Sequence, residues 1–280
     1  MKKILSLLAL CVLVTLGLVA CRKASSSQNW ETIASSKTIK VATSGTLYPQ
    51  SYHDDKNNLT GYDVEIIKEV AKRLDLKVEF VEMNVDGMLT ALNSGQIDLA
   101  GYSIEKDSKN AKKFLYTTPH KYSFGSMIVR QSDDSGIASL EDLKGKKAAG
   151  AATTSYMKVA KKYGAELVIY DNVTNDVYLR DVANARTDVI LNDYYLQKMA
   201  SSALPDIPVK ILEGVYYNPS QANFAIKKGN TTLQEKANDT LEDMRQDGTL
   251  QKLSKQFFAG QDVTQEKDYD YPVIDVSDVE

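Results

Sequence analysis

The side chains best suited to acid–base chemistry in this 280-residue chain are two histidines, His53 and His120. A histidine gains or loses a proton near neutral pH, so either could serve a catalytic cycle. His53 lies in a short polar turn with Asp54 and Asp55, which favours a solvated surface position. The sequence contains no Gly-x-Ser-x-Gly nucleophile motif, no glycine-rich phosphate loop and no histidine-rich metal spacing. We therefore expect a protein that is not an enzyme, with no catalytic residue, no metal and no cofactor.

The chain has two cysteines, and one of them stands where a thiol can accept a lipid. Two lysines precede an apolar run over residues 4–20, which is short for a membrane span and typical of a secretory signal. The run ends in Leu-Val-Ala before Cys21, and this pattern resembles the bacterial lipobox. The sequence predicts a signal peptide over residues 1–20, which removes Cys11, and lipidation at Cys21. An ordinary signal peptide followed by a chance cysteine is the alternative.

The composition is that of an ordinary soluble globule. Hydrophobic residues make up 43% and charged residues 25% of the chain, with 34 basic side chains against 37 acidic ones. This slightly acidic balance argues against a nucleic acid as partner. Once Cys21 is acylated, the mature chain has no free thiol for a disulfide or a cysteine-based metal site. Its length allows one large domain or two lobes of about 100 to 130 residues each.

Both ends of the mature chain have the composition of linkers. Residues 21–36 are polar and rich in serine, without apolar periodicity, which predicts a flexible tether. Residues 261–280 carry seven acidic side chains against one lysine, which predicts a solvated acidic tail.

Between these ends, apolar runs rich in β-branched residues alternate with segments of helical period, which predicts parallel strands joined by helices. The stretch LTG at 59–61 opens a helix with one apolar stripe, and Gly95 is placed to cap the next helix. The pattern restarts at residue 139, so a second lobe is expected. The predicted strands are 39–43, 76–81, 97–102, 147–151, 167–170 and 188–192, and the later predicted helices are 86–92, 154–163, 175–185, 231–246 and 249–258.

Two further predicted strands, 123–129 and 221–226, carry the chain out to the second lobe and back. The elements thus predict an α/β protein of two lobes, each a mostly parallel sheet flanked by helices. Residues 37–125 and 222–260 form the first lobe in this interpretation, and residues 126–221 the second. Such folds bind ligands in the crevice at the carboxyl ends of the strands, where helix N-termini present unpaired N–H groups.

Four ordered stretches of the sequence resemble one known family. They are LTGYDV at 59–64, ALNSGQID at 91–98, SLEDLKGK at 139–146 and DGTL at 247–250. From about residue 38 to 258 the chain resembles the polar amino-acid-binding proteins of ABC importers, bacterial extracellular solute-binding family 3. The first and last stretches are most similar to cystine-type binders. The resemblance implies a type II periplasmic-binding-protein-like fold with two hinge strands.

Two parts of the family's pocket differ in this chain. Relatives carry one aromatic residue before the proline of the first-strand loop and another at the start of the helix after the second strand. Leu47 and Val85 stand at those positions here. The resemblance therefore leaves Tyr48, Tyr52 or Tyr102 to supply the aromatic faces.

The loop after the third strand differs as well. Relatives hold the ligand α-carboxylate there with an arginine, through two parallel charge-assisted hydrogen bonds. The resemblance assigns Ser103 to the pocket and places Ser108 in the arginine position, or Asn110 when the alignment is counted back from the next strand. Lys106 or Lys109 could supply a point charge, but without the planar fork of arginine.

The remaining parts of the pocket match the family. Thr153 and Thr154 stand at a predicted helix N-terminus, where relatives bind a carboxylate, and a helix N-cap without a ligand is the alternative. Asp193 stands where relatives pair a carboxylate with the ligand ammonium, and its alternative is also an N-cap. His120 replaces a tyrosine of the relatives, so we expect it to pack in the core. The full set of expected ligand-binding residues is Ser44, Leu47, Tyr48, Val85, Gly101, Tyr102, Ser103, Ser108, Thr153, Thr154 and Asp193.

The resemblance implies a monomeric binding protein, lipid-anchored on the outer face of the cell membrane, that captures a polar amino acid by closing two lobes. Its partners are then a small-molecule ligand and the membrane permease subunits of an ABC importer. The departures in the pocket leave open a non-standard solute such as a glutathione-like peptide. The same fold also allows a sensor module, an adhesin or a dehydratase-like enzyme.

Overall fold

The computed structural model describes residues 30–104, 106, 110–170 and 172–279. The predicted signal peptide and the lipidation site Cys21 lie outside these residues. Within them, no helix is both long and apolar enough to cross a membrane.

The last part of the predicted tether is ordered. Residues 30–36 form a helix, α1, rather than a flexible chain. Ile33 is 3% exposed and Trp30 packs against the same core, so apolar side chains hold this helix on the first lobe. The prediction of a tether is therefore wrong for residues 30–36.

The strands and helices alternate along the chain as predicted. In chain order the strands are β1 (Thr38–Thr43), β2 (Thr46–Leu47), β3 (Ser51–His53), β4 (Leu59–Thr60), β5 (Lys77–Glu82), β6 (Leu99–Ile104), β7 (Phe114–Tyr116), β8 (Lys121–Arg130), β9 (Lys147–Gly150), β10 (Glu166–Ile169), β11 (Val189–Asp193), β12 (Val209–Ile211) and β13 (Tyr217–Lys227). The helices that follow α1 are α2 (Tyr62–Arg73), α3 (Val85–Ser94), α4 (Ser155–Lys162), α5 (Asn175–Ala183), α6 (Tyr194–Ala203), α7 (Thr231–Gln246) and α8 (Thr249–Phe257).

One continuous sheet runs through both lobes in the order β10-β9-β11-β8-β13-β6-β1-β5. In the first lobe β1 pairs in parallel with β5 and β6, and in the second β9 pairs in parallel with β10 and β11. Between these units, β8 and β13 pair antiparallel with each other. The chain therefore passes between the lobes along two strands, and the predicted two-lobed α/β fold is confirmed.

Each parallel unit is covered by helices on both faces, as a buried parallel sheet requires. On β1, Val41 lies in the core under α2, α7 and α8, whereas Ala42 faces the core under α3. On β9, Ala148 faces α4 and Ala149 faces α5. Neighbouring residues of one strand thus serve opposite faces, which follows from the two-residue period of a strand.

The predicted elements agree with the structure within two residues at their ends, except that β13 begins four residues before the prediction. The stretch expected to open α2 instead forms β4, and α2 begins at Tyr62. Gly61 makes this turn with φ of 129°, and a Cβ there would lie 2.4 Å from the Gln50 carbonyl oxygen. Gly95 caps α3 in the left-handed conformation, as predicted. Sequence analysis missed α6, β7, β12 and the small β2-β3-β4 sheet. These strands have only two or three residues each, too few to show a periodicity.

The acidic tail lies against both lobes, so the prediction of a solvated tail is wrong for its apolar side chains, whereas its acidic side chains from Glu266 to Asp278 are exposed. Val263 is 1% exposed, and its carbonyl accepts a hydrogen bond from the Tyr122 N–H at 2.8 Å. Tyr269 and Tyr271 then pack on Phe124 of β8, with ring centroids 4.7 and 4.8 Å away. Further along, Ile274 and Val276 join the core of the second lobe. The apolar and aromatic residues between the acids, which a count of charges ignores, hold the segment in place.

Replacing Tyr271 with alanine should lower the free energy of unfolding by about 1 to 3 kcal/mol, because a half-buried ring leaves the cluster on Phe124. Thermal unfolding followed by circular dichroism measures the change. The matched control is Val273→Ala, since Val273 is in the same segment but 81% exposed, and we expect a change within about 0.5 kcal/mol. A Tyr271→Ala protein that melts like wild type would show that the tail does not stabilise the fold.

Candidate functional site

A cavity of about 200 Å³ lies between the two lobes. It adjoins the carboxyl ends of β1, β6, β9 and β11, the edge at which open α/β sheets bind ligands. A molecule held there touches both lobes at once, so this cavity is the candidate binding site.

Most of the residues expected in the pocket line this one cavity. Those that do are Ser44, Leu47, Tyr48, Val85, Tyr102, Ser103, Thr153, Thr154 and Asp193. The fold thus brings together residues that are up to 149 positions apart along the chain.

Gly101 was also expected in the pocket, but it is not among the lining residues. It is buried against the neighbouring layer, where an added Cβ would lie 2.4 Å from side-chain atoms of both Ile67 and Val41. Tyr102 and Ser103, which lie nearer the carboxyl end of β6, line the cavity, whereas Gly101 stays in the core. Ser108 lies outside the described residues, and Lys106 is exposed and not part of the lining.

Aromatic side chains face the cavity from both lobes. Tyr48 and Tyr102 line it from the first lobe, whereas Tyr52 packs edge-on against Tyr48 with centroids 5.0 Å apart and does not line it. Burial raises the pKa of Tyr102, so its phenol stays protonated. The second lobe adds three rings that sequence analysis missed, Tyr156, Tyr170 and Tyr178. Tyr170 directly follows β10, and this position at a strand's carboxyl end was the available signal.

A buried ion pair forms part of the cavity wall. The Lys121 ammonium on β8 donates a hydrogen bond to Asp193 Oδ2 at the end of β11. Their side chains are 3% and 5% exposed, and either charge without the other would be strongly unfavourable in this position. The second oxygen of Asp193 accepts the Leu196 N–H at 3.0 Å and caps α6. Sequence analysis missed Lys121, because a lysine beside an apolar strand is normally solvated.

The two lobes also contact each other directly through Asp86 at the start of α3. Its Oδ1 accepts the Thr153 hydroxyl at 2.6 Å and the Thr153 N–H at 3.0 Å, and Oδ2 accepts the Ala152 N–H at 3.2 Å. A carboxylate of the first lobe therefore occupies N–H groups that precede α4 of the second lobe. The position favours an anion because several N–H groups converge near the positive end of a helix.

The neighbouring threonine serves its own helix. The Thr154 hydroxyl accepts the Met157 N–H at 3.3 Å and donates to the Ala151 carbonyl at 3.1 Å. Its N-cap role, one of the two interpretations of the sequence, is present in the structure. Asn175 adds another contact between the lobes by donating to the Tyr48 carbonyl at 2.9 Å. The described structure is thus an arrangement in which the lobes meet.

Behind the cavity, Asp63 is fully buried and joins several polar groups. Ser103 and the Gln50 amide donate to Asp63 Oδ2 at 2.9 and 2.8 Å, and His120 Nε2 lies 3.0 Å from Oδ1. The His120 ring stacks on Phe224 at 4.2 Å between centroids. The packing role expected for His120 is confirmed, and this network fixes the orientation of Ser103 at the cavity wall.

His53 lies on β3 and away from the cavity lining. Its Nε2 is 3.0 Å from Glu82 Oε2, and the hydrogen bond to Glu82 raises the pKa of His53. The side chain is 31% exposed, in accordance with the expected surface position. Among the described residues no group of three or more His, Cys, Asp and Glu is placed to hold a metal ion.

Residues 39–260 match the family model of bacterial extracellular solute-binding proteins, family 3. The chain belongs to this family. It is 52% identical over 255 residues to the probable ABC transporter extracellular-binding protein YckB of Bacillus subtilis. The matched residues cover 90% of this chain and 89% of YckB. It is 34% identical to the L-cystine-binding protein TcyA of the same organism, over 94% of this chain and 100% of TcyA.

Solved structures of family members have the same fold. The crystal structure of B. subtilis YckB is 57% identical, with a TM-score of 0.71 over 88% of this chain and 99% of that one. An ancestral arginine-binding protein bound to glutamine is 30% identical, with a TM-score of 0.73 over 79% of this chain and 98% of that one. The expected family and the type II fold are therefore confirmed, and the relatives are binding proteins by name.

Replacing Asp86 with alanine should open the ligand-free protein, because three hydrogen bonds between the lobes are lost, each worth about 1 kcal/mol or more. Small-angle X-ray scattering detects the opening as a larger radius of gyration. Asp55→Ala, at an exposed position of the first lobe, is the matched control and should leave the radius unchanged. If both variants scatter like wild type, Asp86 does not hold the lobes together.

Proposed function

We propose that this protein captures a polar amino acid outside the cell and presents it to the membrane subunits of an ABC importer. The observation that carries the proposal is the cavity between the lobes, where a buried anion, Asp193, and a buried cation, Lys121, share a wall with several tyrosines. A zwitterion with an apolar side chain is complementary to such a surface. The names of YckB and TcyA as transporter-binding and L-cystine-binding proteins support the same function.

Capture proceeds by closure of two lobes. Residues 37–125 with 222–260 move against residues 126–221, and β8 and β13 act as the hinge because the chain passes between the lobes there. A ligand that contacts both lobes favours the closed arrangement by its higher affinity for that state. The permease subunits then recognise the closed pair of lobes.

The ligand class we favour is an amino acid of the cystine type. Tyr48 and Tyr102 on one side and Tyr170 and Tyr178 on the other can contact an apolar or sulfur-containing chain. The 34% identity to TcyA over almost the whole chain supports this choice. A glutathione-like peptide is the second candidate, because the described lining residues include no arginine and the pocket thus departs from the pattern of the amino-acid-binding relatives.

A binding role accounts for the site better than catalysis. An acid–base catalyst must reach the substrate, and neither His53 nor His120 is among the described lining residues. Transport is favoured over sensing or adhesion because the relatives with high coverage carry transporter names. We therefore place the protein with transport.

Isothermal titration of the soluble protein beginning at residue 22 against the twenty amino acids, L-cystine and glutathione tests the proposal. We expect L-cystine or another amino acid to bind with a micromolar or lower Kd. Binding of glutathione alone would shift the function to peptide capture. Turnover of a bound solute, followed by mass spectrometry, would identify an enzyme instead.

Asp193→Asn should weaken binding of that amino acid by about 2 to 5 kcal/mol, because the partner of its ammonium loses its charge. Asparagine keeps the shape of the side chain and its capacity to cap α6. Asp206→Asn, at an exposed position of the second lobe, is the control and should bind like wild type. Thermal melting of each variant checks that it folds. Equal affinity in all three proteins would remove Asp193 from the site.

We also propose that Cys21 carries the lipid anchor and holds a monomer on the outer face of the membrane. Support comes from the lipobox-like sequence before it and from membership of an extracellular family. More than one acyl chain is needed for durable attachment, and a diacylglycerol thioether supplies two.

Metabolic labelling with an alkyne fatty acid in a bacterial host checks the anchor. Wild type and Cys11→Ser should be labelled and should sediment with membranes. Cys21→Ser should be unlabelled, because the acceptor thiol is gone. A Cys21→Ser protein that still carries the label would contradict the assignment.

A further inference from the structure

Lys121 is the positively charged side chain of the described cavity wall, and the charged groups around it limit which partners its ammonium can have. Among the described lining residues, the charged side chains are Asp86, Lys121 and Asp193. Lys121 is therefore the one positive charge that this part of the wall offers to a ligand anion. It is 2% exposed as a residue, so an anion that reaches it does so with little screening by water.

The two threonines that the resemblance assigns to a ligand carboxylate already have partners in the protein. The Thr153 hydroxyl and N–H both donate to Asp86 across the space between the lobes. The Thr154 hydroxyl donates to the Ala151 carbonyl while it caps α4. A ligand carboxylate entering this cavity thus meets occupied donors at the threonines and one ammonium on β8.

The two side chains of the Lys121–Asp193 ion pair differ in their freedom to move. Asp193 is fixed because its second oxygen accepts the Leu196 N–H at 3.0 Å as the N-cap of α6. Lys121 carries its charge on four rotatable carbons and can swing its ammonium while its backbone stays paired in β8. Any exchange of partners in this pair is therefore made by the lysine.

We propose that Lys121 is an exchangeable counter-ion that selects zwitterionic ligands. In the empty site its ammonium neutralises Asp193. When an amino acid enters, the ligand ammonium takes the place of Lys121 at Asp193, and Lys121 turns to the ligand α-carboxylate. This assignment rests on the proposed amino-acid function and supplies the cation that a pocket without a described arginine needs.

The exchange selects for both charges of the ligand together. Two buried charges enter and two are already present, so each remains paired after binding. A ligand without its carboxylate would displace Lys121 from Asp193 and leave that ammonium buried and unpaired. Such a ligand is rejected because of the lysine, and the rejection should disappear when the lysine is removed.

A thermodynamic cycle of ligand and protein changes tests the assignment. The probes are L-cystine and its dimethyl ester, or, if titration selects another amino acid, that amino acid and its methyl ester. We expect wild type to bind the free acid at least 100-fold more tightly than the ester, and Lys121→Met to reduce this ratio to below 10-fold. Lys210→Met, which breaks a pair with Asp134 on the surface of the second lobe, should keep the wild-type ratio.

The outcomes separate the two proposals. Failure of wild type to bind any amino acid overturns the proposed function, and this assignment with it. An unchanged acid-to-ester ratio in a folded Lys121→Met protein overturns the role of Lys121 alone, and so does a wild-type ratio near one.

A crystal structure of wild type with the bound amino acid gives a second test that needs no variant. We expect Lys121 Nζ within about 3.2 Å of the ligand carboxylate. A lysine that remains on Asp193, with the carboxylate held elsewhere, would overturn the exchange even if Lys121→Met proves too unstable to titrate.

Discussion

The antiparallel pairing of β8 with β13 is the constraint on which the other features depend. It places Tyr122 opposite Gln221 and Lys121 opposite Ala222, in the middle of a sheet whose two ends belong to different lobes. β8 also pairs with β11, so that Asp193 lies opposite Gly125. The lysine and the aspartate meet because β11 pairs with β8, the strand that carries Lys121, although they are 72 residues apart in sequence. Two globules without a shared sheet would not hold these two side chains next to each other.

This central pairing is covered on one side by aromatic packing. Phe124 contacts Tyr194 and Tyr216 of the second lobe as well as Tyr269 and Tyr271 of the tail. The tail continues to the second lobe, where Lys162 pairs with Asp278 at 2.9 Å. A segment attached to both lobes and to the strand between them has to adjust whenever the lobes rotate. In the proposed closure, the tail therefore moves together with the hinge strands.

The charges between the lobes are neutralised by the protein itself in the described structure. Asp86 satisfies N–H groups before α4, and Lys121 satisfies Asp193. These internal pairs remove the large cost of a buried unpaired charge, but a ligand must compete with them. Its affinity is consequently a difference between new and lost contacts and does not follow from the area it buries. In the proposed exchange a zwitterion competes well, because its ammonium replaces Lys121 as the partner of Asp193 and its carboxylate gives Lys121 a new partner.

The sequence by itself determined the fold class and the two-lobed order of elements, and nine of the eleven residues that it assigned to the pocket line the cavity. Apolar periodicity and glycine placement are local properties, and the predicted strands 97–102 and 188–192 end where Tyr102, Ser103 and Asp193 lie. Three features depended on the tertiary structure. The partner of Asp193 comes from β8, and the partner of Thr153 comes from α3 of the other lobe. The acidic tail packs through alternate apolar residues on surfaces that exist only after the lobes form. Each of these contacts joins distant residues across a sheet or between lobes. A linear pattern records which residues are charged or apolar, but the register of the strands decides which of them meet.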